Sequence, residues 1–174
     1  MSEPPKDPLH LVLVAPEIPW NTGNIGRTCL AAGARLHLVR PLGFRLDQRH
    51  LRRAGLDYWP HVDPVIWPHW EAFEEALPDL GEAWFFSAEG NQDLFEVSFG
   101  PPSVLIFGSE SRGLPSEIRQ DYASRLVSIA METSPVRSLN LSTAAAVAIY
   151  QVKSQWQVKS QGQGGSGASG LRAG

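Results

Sequence analysis

Three short polar segments hold the side chains best suited to chemistry. The first, Pro16-Glu17-Ile18-Pro19-Trp20-Asn21-Thr22-Gly23-Asn24-Ile25-Gly26-Arg27-Thr28, places Asn24 and Arg27 at i, i+3 spacing on one helix face. An arginine there can grip a phosphate with two parallel N–H donors. Two prolines stiffen the approach, and Asn21 or Thr22 has the side chain to cap the helix that follows. The second segment, Leu105-Ile106-Phe107-Gly108-Ser109-Glu110-Ser111-Arg112-Gly113-Leu114-Pro115, is an apolar run ending in a tight turn whose glycines let backbone amides approach a ligand. It lacks the lysine and hydroxyl of a Walker loop and the spacing of a GxGxxG turn. The third, Arg137-Ser138-Leu139-Asn140-Leu141-Ser142, opens a helix of small residues, with Ser138 placed to cap it. Asn140 carries a primary amide into an apolar helix, where it must find partners within the protein or on a ligand.

A doubly covered parallel sheet is the scaffold these segments call for, because ligands gather at the carboxyl ends of such strands. Short apolar runs alternate with helical periodicity, which predicts an α/β fold with a mostly parallel sheet flanked by helices. Strands are expected at Leu9 to Ala15, Arg35 to Arg40, Val62 to Trp67, Ala83 to Ala88, Ser103 to Gly108 and Arg125 to Ala130. Helices are expected at Gly23 to Ala32, Gln48 to Arg53, Trp70 to Leu77, Ser116 to Tyr122 and Leu139 to Trp156. The last of these is apolar or small nearly all round, which implies burial either inside the monomer or against a second subunit. Residues 1–8 and 158–174 read as flexible tails around one domain spanning residues 9–157, since neither end has the apolar content to order itself.

Composition narrows the function classes. A single cysteine, Cys29, excludes an intramolecular disulfide and any multi-thiolate metal site, and a reducing cytoplasm suits it. His61, Asp63 and His69 flank Pro64 and Pro68 and read as a surface loop, so no metal is expected. No run is long and apolar enough to span a membrane. Net charge is −3, yet the seven arginines from Arg27 to Arg53 face one acid, Asp47, while every charge from Glu71 to Glu96 is acidic. One face can therefore meet phosphates that another repels. Two solvated helix faces of opposite sign would give the same pattern.

Taken together, NTGNIGRT, FGSESRGLP and RSLNLSTAAAVAIY resemble, in order and spacing, the three signature motifs of the SPOUT methyltransferase superfamily. The likeness runs from Leu9 to Trp156, and PEIPWNTGNIGRT with Leu51-Arg52-Arg53-Ala54-Gly55-Leu56-Asp57-Tyr58 is similar to its small single-domain TrmL-like members. The resemblance implies a C-terminal deep trefoil knot in place of the ordinary flavodoxin-like sheet that unthreaded connections would give. It also implies a homodimer with a shared site, and 2′-O-ribose methylation at the wobble position of tRNA, with S-adenosylmethionine as donor and S-adenosylhomocysteine as product. Carried over by motif, Phe86, Gly108, Ile129, Ser138 and Leu139 form the donor pocket. Asn24, Arg27, Glu110 and Asn140 form the catalytic neighbourhood, with Arg27 reaching the other subunit's donor. Arg45, Arg49, Arg52 and Arg53 are the expected contacts to an anticodon stem-loop, and Tyr58 or Trp59 has the shape to stack an unpaired base, although a core role also suits both.

Four positions depart from the pattern: Glu89 where relatives often carry a base, Ser109 and Ser111 for a frequent Pro and Thr, and Ala130 for a common Pro. Rival readings are another RNA target, a non-catalytic RNA-binding knot protein, and a nucleotide binder unrelated to methylation.

Overall fold

The computed structural model of the chain describes residues 8–45, 57–132 and 135–163. Seven parallel strands form one sheet in the order β3-β2-β1-β6-β4-β7-β5. They are β1 (Leu9–Val14), β2 (Arg35–Val39), β3 (Val65–Trp67), β4 (Glu82–Phe86), β5 (Gln92–Asp93), β6 (Ser103–Phe107) and β7 (Leu126–Ser128). The helices are α1 (Pro19–Ala32), α2 (Trp59–Val62), α3 (Trp70–Leu80), α4 (Ser116–Asp121) and α5 (Leu141–Gln163).

The two central strands, β1 and β6, are buried at every residue, as expected of parallel strands covered on both faces. Their alternating side chains feed two cores. Leu9, Leu11, Leu13, Leu105 and Phe107 pack with Ile25 of α1 and Ala148 and Ile149 of α5 on one side. Val12, Val14, Val104 and Ile106 pack with Phe73 and Leu77 of α3 and Ile118 of α4 on the other. The winding reverses between β1 and β6, because β2 and β3 lie to one side of β1 and the later strands to the other. Such a switch point opens a crevice at the carboxyl ends.

Several boundaries differ from expectation. Helix α1 begins at Pro19, four residues early, because a proline that lacks an N–H is well suited to the first helical turn. Asn21 and Thr22 thus lie inside the helix and cap nothing. The expected strand from Val62 is first a turn of helix, α2. Asp63 then adopts a left-handed conformation (φ 41°), and the strand starts only after Pro64. Trp59 is core: its ring lies against Gly26, where a Cβ would come within 2.8 Å of it. Helix α5 continues to Gln163, beyond residue 158 where the tail was expected to begin. The helix expected at Gln48 to Arg53 lies outside the described residues, whereas the short β5 was not foreseen.

A buried polar chain crosses the second core. Trp67 Nε1 donates to His37 Nδ1 at 3.1 Å, which leaves His37 Nε2 as the donor to His10 Nδ1 at 3.0 Å. Burial, then the neighbouring charges of His10 and Arg35, lowers the His37 pKa from 6.5 to about 3. The native state therefore keeps this ring neutral while the unfolded chain protonates it below about pH 6.5. Its contribution to stability is intact above that pH and declines as pH falls from there toward 3. At pH 4.5 the loss is on the order of 2 to 3 kcal/mol. Urea unfolding of the wild type and of His37→Gln at pH 7 and 4.5 checks this: the gap between the two proteins should narrow by about that amount in acid.

Candidate active site

A crevice of about 740 Å³ opens at the carboxyl ends of β4, β6 and β7. Phe86 and Phe107 form its apolar wall, stacked with centroids 4.3 Å apart. The turn after β6 forms its floor. There Ser109 N donates to Gly113 O at 3.1 Å, and Gly113 N returns a bond to Ser109 O at 2.8 Å. Gly108 lies so close beneath this turn that a Cβ on it would meet Gly113 C at 1.9 Å. Residues 127–131 and 137–141 close the remaining sides.

A hydrogen-bond relay joins the three polar segments beside the crevice. Asn140 Nδ2 donates to Asn21 Oδ1 at 3.1 Å, and Asn21 Nδ2 donates to Glu110 Oε1 at 3.1 Å. The Glu110 carboxylate also accepts from Glu17 N at 2.7 Å and Ile18 N at 3.1 Å. A negative group placed just ahead of α1 also complements the positive end of that helix. Glu17 in turn accepts from Ser111 N at 3.0 Å and from Ser111 Oγ at 2.7 Å. With three donors on its carboxylate, Glu110 is built to hold the first segment against the second.

Asn140 is also the cap of α5, in place of Ser138. Its Oδ1 accepts from Ser142 N at 2.9 Å and from Ser142 Oγ at 2.7 Å. Asn140→Ala removes the cap and the link to Asn21 together, and is expected to cost about 1 to 2 kcal/mol. Asn140→Asp keeps the cap acceptor and loses only the donor to Asn21. Denaturant midpoints of the two variants should differ accordingly, with the aspartate closer to wild type.

Of the residues expected at the site, Phe86, Gly108, Glu110, Ile129, Ser138, Leu139 and Asn140 line this one crevice. Asn24 and Arg27 do not line it. They lie with Trp20 and Ala31 on an exposed stripe of α1 at i, i+4, i+7 and i+11 spacing. The Arg27 guanidinium sits 5.6 Å from the Tyr58 ring centroid, and Tyr58 donates to Gly23 O at 2.9 Å. Arg45 is exposed, two residues beyond Gly43, whose N donates to Pro16 O at 2.9 Å. Arg49, Arg52 and Arg53 lie outside the described residues. Glu89 pairs with Arg119 across the crevice mouth.

Sequence reasoning missed Asn21 and Glu17, which are tied to partners 119 and 94 residues away. Only their position, in a polar run after a buried strand, pointed to them. Among the described residues, no group of three His, Cys, Asp or Glu could hold a metal, and no helix is long and apolar enough to cross a membrane.

The model of the SpoU rRNA methylase family matches residues 8–150. A Saccharophagus degradans protein named tRNA (cytidine(34)-2′-O)-methyltransferase is 45% identical over 144 residues, covering 82% of this chain and 92% of its own. A solved structure described as giving insights into the 2′-OH methylation of C/U34 on tRNA superposes with a TM-score of 0.79 at 49% identity, over 86% of this chain and 97% of that one. AviRb of Streptomyces viridochromogenes, a SpoU methyltransferase in complex with AdoMet, superposes with a TM-score of 0.71 at 26% identity, over 87% of this chain and 58% of its own.

Proposed function

The chain belongs to the SpoU methylase family, and from that premise we propose that it methylates the ribose 2′-hydroxyl of the wobble nucleotide of tRNA, with S-adenosylmethionine as donor. The observation that carries this reading is the convergence of three separated segments on one crevice at the carboxyl ends of β4, β6 and β7.

The crevice fits such a donor. Its volume is in the range of sites for cofactor-sized molecules. Phe86, Phe107, Ile129 and Leu139 offer apolar surface to an adenine, and the missing side chain of Gly108 lets the backbone of the turn at Gly113 and Leu114 pack directly against it. Phe86, Gly108, Ile129, Ser138 and Leu139 are the proposed donor-binding residues. Bound there, S-adenosylmethionine supplies a methyl group on a positively charged sulfur.

The work left to the protein is alignment, exclusion of water and handling of one proton. Positioning two reactants in line is worth about 7 to 11 kcal/mol, more than acid–base help supplies. Arg27 is the proposed clamp on the neighbouring phosphate and the stabiliser of the forming alkoxide. A guanidinium has a pKa above about 12 and does not serve as the base, so the proton passes to phosphate or water. Glu110 and Asn140, with Asn21, hold the crevice walls in register.

Since Arg27 and Asn24 lie outside the crevice of their own chain, the shared-site homodimer is the arrangement that lets them act. The exposed α1 stripe supports it. The trefoil threading belongs to the same reading. A cytoplasmic location goes with a tRNA substrate in this reading.

Mass spectrometry of ribose-methylated nucleosides in tRNA from cells lacking the protein tests the assignment. Loss of the wobble 2′-O-methyl mark alone is expected. An unchanged wobble mark, or loss of a different mark, refutes it.

A further inference from the structure

The charged side chains around the crevice are unevenly committed. Glu110 is occupied by Glu17 N, Ile18 N and Asn21 Nδ2, and Glu17 by Ser111. Glu89 and Arg119 are paired with each other. Two guanidiniums on the same rim, Arg112 and Arg137, are exposed and enter no ion pair or side-chain hydrogen bond among the described residues. Of the carboxylates lining the crevice, Glu89 is paired with Arg119 and Glu110 already accepts three N–H donors.

Their backbone settings favour a fixed presentation. Arg112 stands at the tip of the turn closed by the two Ser109–Gly113 bonds, and its own N donates to Ser109 Oγ at 3.3 Å. Ser111 beside it is anchored to Glu17. Arg137 directly precedes the Ser138–Leu139 wall, three residues ahead of the anchored Asn140. Two arginines thus flank one opening on separate supports, each with a free planar fork suited to a bidentate oxyanion.

We propose that Arg112 and Arg137 form a two-point clamp for RNA backbone phosphates next to the nucleotide that enters the crevice. The clamp is distinct from the arginines of the 35–53 region and rests on the methyltransferase reading above. It deepens that reading by adding a site for the substrate's backbone. Arg112 and Arg137 lie on the rim in solvent, where a polyanion passing across the mouth meets both. The donor's own carboxylate is the other anion of similar chemistry, and the test separates the two.

The experiment uses the full chain with two RNA probes, an anticodon stem-loop and a single-stranded oligouridylate, followed by fluorescence anisotropy across a salt series. Calorimetry with S-adenosylhomocysteine runs in parallel. Neither arginine supports a contact within the fold, so Arg112→Gln and Arg137→Gln should remain folded. Each is expected to flatten the log affinity against log salt plot by about 0.7 and to weaken low-salt RNA binding about 5- to 10-fold. The double variant should flatten it by about 1.4. Lysine at either position should keep the slope, since it keeps the charge. Affinity for S-adenosylhomocysteine should stay within about twofold of wild type. Unchanged salt slopes on both RNAs overturn the clamp, as does a loss confined to S-adenosylhomocysteine binding. A wild type that leaves the stem-loop unmethylated would refute the proposed function, while the oligouridylate slopes would still decide the clamp.

Discussion

Gly108→Ala is expected to lower methyl transfer at least about 100-fold while leaving a folded protein. The added methyl would stand 1.9 Å from Gly113 C, 2.1 Å from Leu114 N and 2.2 Å from Gly113 O, all backbone atoms that no rotamer change can move aside. The turn must lift or its two Ser109–Gly113 bonds must open. Overpacking of this kind costs about 3 kcal/mol. A domain with about 5 to 15 kcal/mol of stability survives that loss. Function is the more sensitive quantity, because the displaced turn is the crevice floor and also carries Glu110 and Ser111, which hold the start of α1. A shift of about 1 Å in such a scaffold is worth about two orders of magnitude in rate. Single-turnover methylation together with thermal unfolding checks the split. A variant that unfolds at the wild-type temperature and reacts at the wild-type rate would show that the turn has slack the geometry denies.

What could be read in advance follows from how local each signal is. The strands β1 and β6 were legible because a parallel strand covered on both sides must be apolar at nearly every position. Gly108 was reached because it closes an apolar run before a tight turn, whereas Phe86 and Ile129 came only with the resemblance, which also supplied the proposed role of all three. The start of α1 was misplaced because Pro19 was read as a loop stiffener, although the same fixed φ suits the first helical residue. Asn21 was assigned to capping for a related reason. Its actual partners, Glu110 and Asn140, are separated from it by 89 and 119 residues, and no local pattern encodes that meeting. The departures at Ser109 and Ser111 gain a reason only in three dimensions, since one hydroxyl accepts from Arg112 N and the other donates to Glu17. Arg27 shows the opposite limit. Its residue type was legible, but a single chain leaves it on the outer stripe of α1 instead of in the crevice.

That placement gives Arg27 its own expected result. Arg27→Ala should reduce the single-turnover rate about 10² to 10³-fold, the usual effect of removing one donor to a developing oxyanion. It should do so with little loss of stability, because the side chain is exposed and its one described contact is the Tyr58 face, worth about 0.5 to 1 kcal/mol at such a site. Arg27→Lys keeps the charge and loses the planar fork, so it should recover only part of the rate; near-normal turnover in the lysine variant would rule out bidentate positioning. The shared-site arrangement adds a second, independent readout. Arg27→Ala chains carry an intact crevice and lack the clamp, whereas Gly108→Ala chains carry the clamp and lack the crevice. If Arg27 acts on the partner's crevice, unfolding and refolding the two inactive variants together should restore about a quarter of wild-type activity. Half of randomly assorted pairs are then mixed, and each mixed pair holds one complete site. If Arg27 instead served its own crevice, the mixed pairs would contain no complete site and activity would stay at the level of the separate variants.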